Sequence, residues 1–481
     1  MPRRRYDRPL RILQVNTADV AGGAEKVSWD LLRAYRRLGH DAWLAVGSKF
    51  SDDSRVVIIP NEECRSKWVR MWRHAQAWSR GRGLQHPSRL ASWLAWLGEP
   101  RRAFDTLRGA EDFHFPGTAH LLRCAADRPD IVHAHNLHGS YFDLRCIAGL
   151  SHELPVVLTL HDDWLLSGHC AYAFECERWK LGCGSCPNLT TYPSIRRDAT
   201  AYNWRRKQAI FARSRFYLAT PSRWLMQRVE ESMLAPAVAR RMVIPNGVDL
   251  SIFHPTPRQA ARRSLGISED AAVLLFVAHG IHSNPRKGYP LLREAVAAIS
   301  DRLPRHKILL LAVGEKAPSE QIGGTEVRFI SPQREAHAVA QFYQAADLYV
   351  HPAQADTFPT TVLEALACGV PVVATAVGGI PEQVKSTHVI GEIQGRASFA
   401  PEEATGVLTP PGDAEAMAKA ITTLLAEDDL RRRLGRNAGQ DAAQRFDVER
   451  QIESYLDWYL EILSSVTTHD SVEGSPSALS R

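Results

Sequence analysis

The chain has 481 residues, 44% of them apolar and 23% charged, with 31 glycines and 28 prolines, which suits two or three domains of ordinary size and excludes a mini-protein, a collagen-like chain and a low-complexity one. Its net charge of +6 favours anionic ligands or surfaces without implying nucleic acid. Apolar runs such as Ile308–Val313 fall far below the ~18–20 residues that span a bilayer. The basic start Met1–Pro9 leads into a strand-like run and not into the apolar core of a signal peptide, so a cytoplasmic protein is expected.

Strands are expected at Arg11–Thr17, Ala42–Gly47, Val56–Pro60, Asp130–His135, Val156–His161 and Tyr217–Thr220. A second series is expected at Met242–Pro245, Val273–Ala278, Ile308–Gly314, Val327–Ser331, Leu348–His351 and Val372–Thr375. Strands apolar along their whole length and separated by helices indicate parallel sheets covered on both faces. The chain is therefore α/β, with two doubly wound, Rossmann-like domains facing across a cleft, and ligands outside the carboxyl ends of the strands. The expected boundaries are 10–222 for the first domain, with helical and Cys-rich inserts at 62–125 and 164–190, and 223–446 for the second. Apolar residues repeating at three and four mark a last helix, 447–465, assigned to the first domain; tails 1–9 and 466–481 are expected to be disordered.

Gly22-Gly23-Ala24-Glu25 follows the first strand and opens a helix from about Lys26. Paired glycines there let backbone N–H groups approach a phosphate, although a bare tight turn explains them equally well. Pro285-Arg286-Lys287-Gly288 sets two cations after a strand, suited to a diphosphate or simply solvated. Asp356-Thr357-Phe358-Pro359-Thr360-Thr361-Val362-Leu363-Glu364 holds two carboxylates eight residues apart, the second expected to begin a helix. Carboxylates accept hydrogen bonds from sugar hydroxyls, and helix-initial N–H groups hold phosphate; charging of a helix start is the plainer alternative.

Cys170, Cys176, Cys183 and Cys186 are spaced C-x5-C-x6-C-x2-C. In a reducing compartment thiolates favour a closed structural zinc over disulfides, with unligated thiols as the alternative. His133-Ala134-His135-Asn136-Leu137-His138 resembles a binuclear metal signature only superficially, since Leu137 stands where an aspartate is needed. Between Arg65 and Arg102, Trp68, Trp72, Trp78, Trp93 and Trp96 lie among cations with Glu99 as the only acid. Such helices either lie on an anionic membrane surface or bury their tryptophans in a subdomain.

Taken together, Gly22–Glu25, Pro245-Asn246-Gly247-Val248-Asp249, Arg286-Lys287-Gly288 and Asp356 through Glu364, followed by Ala367-Cys368-Gly369-Val370-Pro371, resemble the retaining glycosyltransferase family four, of GT-B fold. The likeness covers about Arg11–Leu463; His161-Asp162-Asp163-Trp164 and the cysteine segment further resemble enzymes of bacterial exopolysaccharide synthesis, of colanic-acid type. The resemblance implies a nucleoside-diphosphate sugar donor held by the second domain and a saccharide or lipid-linked acceptor held by the first, with no nucleic-acid partner and no cofactor needed for catalysis. The cationic, tryptophan-bearing segment adds the expectation of a peripheral place on the inner membrane face, where a lipid-linked acceptor would be presented. The resemblance assigns donor binding to Gly22, Gly23, Asn246, Arg286, Lys287, Asp356, Phe358, Pro359, Thr360, Thr361 and Glu364, with Glu364 on the ribose and Lys287 on the phosphates. His161 and Asp162 are the implied catalytic pair, in a reaction driven by positioning and phosphate-charge stabilisation without an enzymic nucleophile. Asp356 is one methylene shorter than the glutamate usual in the family, and Ile281 replaces a usual arginine, whose charge Arg286 is expected to supply. A catalytically silent sugar-nucleotide or membrane-binding module is the alternative.

Overall fold

Val, Ile and Leu dominate the central strands, which are buried along their length, so each sheet is covered on both faces. The computed structural model describes residues 8–20, 22–81, 96–303, 306–388, 390–391 and 393–473. Two compact units emerge: unit 1 combines 1–220, 226–243 and 454–481, and unit 2 combines 221–225 and 244–453.

In unit 1 the strands are β1 (Arg11–Ala18), β2 (Asp41–Ser48), β3 (Val56–Ile58), β4 (Ile131–Ala134), β5 (Val156–Thr159), β6 (Phe216–Thr220) and β7 (Val238–Val243), in the order β3-β2-β1-β4-β5-β6-β7. Every neighbouring pair is parallel. The strand expected at Met242–Pro245 to open the second series is instead β7, which closes the first sheet beside β6. Helix α1 (Gly23–Arg37) buries Val27, Leu31, Leu32 and Tyr35. The insert carries α2 (Lys67–Gly81) and α3 (Pro100–Leu107); Arg82, Arg89 and Trp93 lie outside the described residues, as does the Trp78 side chain. Helix α4 (Thr200–Phe211) follows the Cys-rich segment.

Unit 2 has β8 (Ala272–Val277), β9 (Ile308–Val313), β10 (Glu320–Ile322), β11 (Thr325–Ile330), β12 (Leu348–His351), β13 (Val372–Thr375) and β14 (Gly406–Thr409), ordered β10-β11-β9-β8-β12-β13-β14. Only β10, antiparallel to β11, departs from parallel pairing. Helices α5 (Tyr289–Arg302) and α6 (Thr360–Ala367) follow β8 and β12.

The last helix, α7 (Val448–Glu473), is longer than expected, so residues 466–473 are helical and not an irregular tail. Arg8, placed in the other tail, pairs with Asp130 at 2.9 Å. From Ser454 onward α7 belongs to unit 1 and buries Tyr455, Leu456, Trp458, Tyr459 and Ile462 there. Among the described residues no helix is long and apolar enough to cross a membrane.

Candidate functional site

In unit 2 the loops after β8 and β12 bring three of the expected residues together. Gly288 adopts φ +75 between the cation pair and α5, and a Cβ there would lie 1.8 Å from the Pro352 carbonyl oxygen. Only glycine lets the two loops approach so closely. Lys287 Nζ consequently sits 3.0 Å and Arg286 Nη1 3.5 Å from Asp356 Oδ2, with His351 Nε2 at 3.7 Å. Burial alone would raise the Asp356 carboxyl, but Lys287, His351 and Arg286 outweigh it and hold the group well below the usual carboxylate range. Burial also lowers the Lys287 ammonium, against the pull of Asp356. Lys287 and Asp356, expected to hold phosphate and sugar separately, are thus partners of one ion cluster. Ile281 is buried in the apolar core, while Arg286 supplies a cation beside Lys287.

Helix α6 starts at Thr360, so Glu364 lies in its second turn and not at its start as expected, and charging of the helix N-terminus does not account for it. Glu364 is buried and accepts a 3.0 Å hydrogen bond from the Tyr343 hydroxyl. Asn246 donates to the Phe358 carbonyl at 3.2 Å, and Gln383 to that of Pro359 at 3.0 Å, which fixes the loop entering α6. Thr361 hydrogen-bonds Tyr349. Gly378, at φ +56, lets the backbone pass Asp356, whose carbonyl oxygen would be 1.8 Å from a Cβ.

In unit 1, Gly22 caps α1 in an extended conformation and Gly23 begins it, so neither glycine answers to a left-handed backbone. A Cβ on Gly23 would meet nothing within 4 Å, which leaves the helix start open to a ligand. The histidines divide into two groups. His133 bonds the Tyr459 hydroxyl at 2.6 Å and the Thr159 hydroxyl at 2.7 Å, and burial pushes its imidazole down to about 3. His135 bridges His161 at 3.0 Å and Gln14 at 3.1 Å, and burial lowers His161 to about 4.

Asp162 turns away from His161 and meets His138 Nε2 at 2.7 Å, its other oxygen accepting the Trp164 N–H at 2.9 Å. Despite burial, Asp162 and Glu25 raise the His138 imidazole. His138 is therefore a site residue that motif reading, which weighed it only as a metal ligand, passed over. The parallel register pairs Val132 with Val156, and the same offset carried past the strand ends pairs His138 with Asp162.

The cysteine thiols make contacts within their own segment. Cys183 Sγ accepts the Gly168 N–H at 3.3 Å, and Cys186 Sγ lies 3.6 Å from His169 Nε2. Burial pushes the Cys170 thiol up to about 12 and that of Cys183 to about 11. Among the described residues no three His, Cys, Asp or Glu side chains gather as a ligand set, so the expected set of Cys170, Cys176, Cys183 and Cys186 is not assembled. Buried Lys207 instead ties the segment down, donating to Glu111, the Trp164 carbonyl and the Ser167 carbonyl at 2.9, 2.7 and 3.0 Å.

Residues 21–252 match Glycosyltransferase Family 4 and residues 257–441 match Glycosyl transferases group 1. The chain belongs to glycosyltransferase family four. This glycosyltransferase is 35% identical over 236 residues to a D-inositol 3-phosphate glycosyltransferase of Actinosynnema mirum, covering 46% of this chain and 52% of that one. It is 28% identical over 262 residues to a putative colanic acid biosynthesis glycosyl transferase of Escherichia coli, covering 51% and 60%. The matches thus span about half the length of these curated relatives. Its fold resembles that of sucrose-phosphate synthase from Thermosynechococcus elongatus, with a TM-score of 0.62 at 20% identity over 95% of this chain and 100% of that one. Anabaena HepE in complex with UDP-glucose gives 0.59 at 20% identity over 94% and 99%. The family-four glycosyltransferase accordingly has the GT-B fold, with two Rossmann-like domains.

Proposed function

We propose that this glycosyltransferase moves a sugar, with retention of configuration, from a nucleoside-diphosphate sugar to a saccharide or lipid-linked saccharide in bacterial cell-surface polysaccharide synthesis. The observation that carries the reading is the Lys287–Arg286–Asp356 cluster after β8 and β12, beside the start of α6. Two cations and a helix N-terminus suit a diphosphate, and a bound diphosphate would compete with Asp356 for Lys287 and free that carboxylate for sugar hydroxyls. Glu364, buried and oriented by Tyr343, takes the ribose hydroxyls, and Asn246, Phe358, Pro359, Thr360 and Thr361 shape the loop around the donor. The complex of HepE with UDP-glucose favours a donor of this class. Gly22 and Gly23 leave the start of α1 open to a phosphate. The chemistry needs no resident cofactor.

Peripheral attachment to an anionic membrane face belongs to this reading. Trp68, Met71, Leu97 and Phe104 are exposed on the insert, in a segment that also carries Lys67, Arg70, Arg101 and Arg108.

Thermal unfolding with UDP, GDP, dTDP and their common sugars tests the donor assignment, because a ligand that binds the native state raises its midpoint. One nucleotide class is expected to raise the midpoint by several degrees, and Glu364→Ala to abolish the rise. No rise with any of them would favour a catalytically silent module.

A further inference from the structure

Strand β12 is apolar and buried at Leu348 and Val350, and it ends on a histidine that is just as buried. β12 lies beside β8, where the strand order of the sheet reverses, so His351 stands at the position where an open parallel sheet holds its ligand. A polar group buried there costs stability unless it is paired. Side chains two apart on a strand share a face, and the Tyr349 hydroxyl accordingly meets His351 Nδ1 at 3.0 Å. The other nitrogen, Nε2, points at Asp356 Oδ2 from 3.7 Å, beyond a full hydrogen bond. An ionised carboxylate only accepts, so Nε2 carries the proton and Nδ1 accepts from Tyr349, which in turn hydrogen-bonds Thr361 in the first turn of α6. Burial, with Lys287 and Arg286 close by, lowers this imidazole and keeps it neutral with that single proton.

Asp356 is itself buried; its Oδ1 accepts the Thr357 N–H at 3.1 Å and its Oδ2 takes Lys287 Nζ at 3.0 Å. A diphosphate carries more negative charge than one carboxylate and draws Lys287 and Arg286 to itself. A buried carboxylate stripped of its cations would leave its place or take up a proton. The donor in place for Oδ2 is then the His351 N–H, since a small turn of the Asp356 side chain shortens 3.7 Å to the ~2.9 Å of a hydrogen bond. A carboxylate oxygen has two lone pairs, so Oδ2 can hold His351 and still accept a sugar hydroxyl.

We propose that His351 is the positioning residue of Asp356: its Nε2–H takes over Oδ2 as a diphosphate takes Lys287, and keeps the carboxylate ionised and aimed at the donor sugar. Tyr349 and Thr361 hold the imidazole in the tautomer that does this. The inference rests on the donor reading above and concerns the sugar half of the donor alone: Lys287 and Arg286 serve the diphosphate, and His351 serves the sugar through Asp356.

Calorimetric titration of the full chain with the pairs UDP and UDP-glucose, GDP and GDP-mannose, and dTDP and dTDP-glucose separates the two halves. The unaltered protein is expected to bind one sugar nucleotide more tightly than its nucleoside diphosphate. His351→Leu is expected to weaken that sugar nucleotide about tenfold, the worth of one charge-assisted hydrogen bond, and to leave the nucleoside diphosphate unchanged. His351→Gln, whose amide N–H stands in for Nε2–H, should restore most of the preference. Tyr349→Phe keeps the ring packing and removes the hydroxyl that fixes the tautomer, so it should lose part of the preference, and it decides the matter where His351→Leu does not fold. An equal loss for both ligands of the pair, or a sugar preference untouched in these variants, overturns the proposal and leaves His351 a packing residue. If a nucleoside diphosphate binds and its sugar adds nothing in the unaltered protein, this inference fails while the diphosphate site stands. If none of the ligands binds, the donor reading fails and this inference with it.

Discussion

The imidazole of His133 is enclosed by Tyr459, Thr159 and Tyr455, and its two nitrogens are consumed by hydroxyls at 2.6 and 2.7 Å. It must stay neutral, and burial holds it at about 3. In the unfolded chain the same group takes a proton near ~6.5. Between those values the unfolded state binds more protons, so stability is fully present above about 6.5 and falls as pH drops toward 3. One such histidine contributes a slope of about 1.4 kcal/mol per pH unit. His161, at about 4, acts in the same direction over a narrower window. Denaturant unfolding at pH 7, 6 and 5 should therefore show a steady loss. The His133→Asn variant, less stable at pH 7, should lose less on acidification; curves that fall in parallel would sink the assignment. This histidine resembled a metal ligand in sequence because its spacing to His135 is that of a strand; of the hydroxyls that occupy it, that of Thr159 comes from the neighbouring strand β5 and that of Tyr459 from α7, more than three hundred residues away.

Helix α2 presents Trp68 and Met71 to solvent, 55% and 50% exposed, while Trp72 turns inward against Trp68 in an edge-to-face pair. Trp68 and Trp72 lie one turn apart on the same face of the helix and still differ in exposure, which composition alone does not separate: all its tryptophans sit among arginines. On vesicles containing anionic phospholipid the protein is expected to bind, and the double variant Trp68→Ala, Met71→Ala to lose most of that binding, with salt weakening the remainder. Unchanged sedimentation with vesicles would mean that these side chains have another role. The strands were easier to read than this insert, because buried parallel strands are apolar throughout and helices intervene. The exceptions have physical reasons. β7 carries Arg240 and Arg241 at an exposed edge and so lacks an apolar signature, and β10 has only one apolar residue, Ile322, beside Glu320 and Gln321. The Asp356–Glu364 loop was legible as a motif, but the ion pairing of Lys287 with Asp356 was not, since it depends on the close approach that Gly288 permits between loops 69 positions apart.

The chain builds unit 1 from three separate stretches, and its polar interior is closed by the last of them. Tyr455 joins Thr159 at 2.9 Å, Tyr459 joins both His133 and Tyr35, the latter at 3.2 Å, and Trp458 packs against Tyr217. Without α7, the hydroxyl of Thr159 loses one of its two partners, Nδ1 of His133 loses its partner, and the apolar faces of Tyr35 and Tyr217 meet water. Each buried polar group left unpaired costs about 1–3 kcal/mol, and each large aromatic removed from its contacts about as much again. The sum approaches the ~5–15 kcal/mol that holds a whole domain together. A chain ending at Val243 should therefore not unfold cooperatively, although it contains all seven strands of its sheet. Joining Ser454–Glu473 to it through a flexible linker should restore a single sharp transition in far-ultraviolet dichroism. Sharp unfolding of the shortened chain at the full-length midpoint would show that α7 is dispensable to unit 1, and the hydroxyl network around His133 would then be a consequence of the fold and not one of its supports.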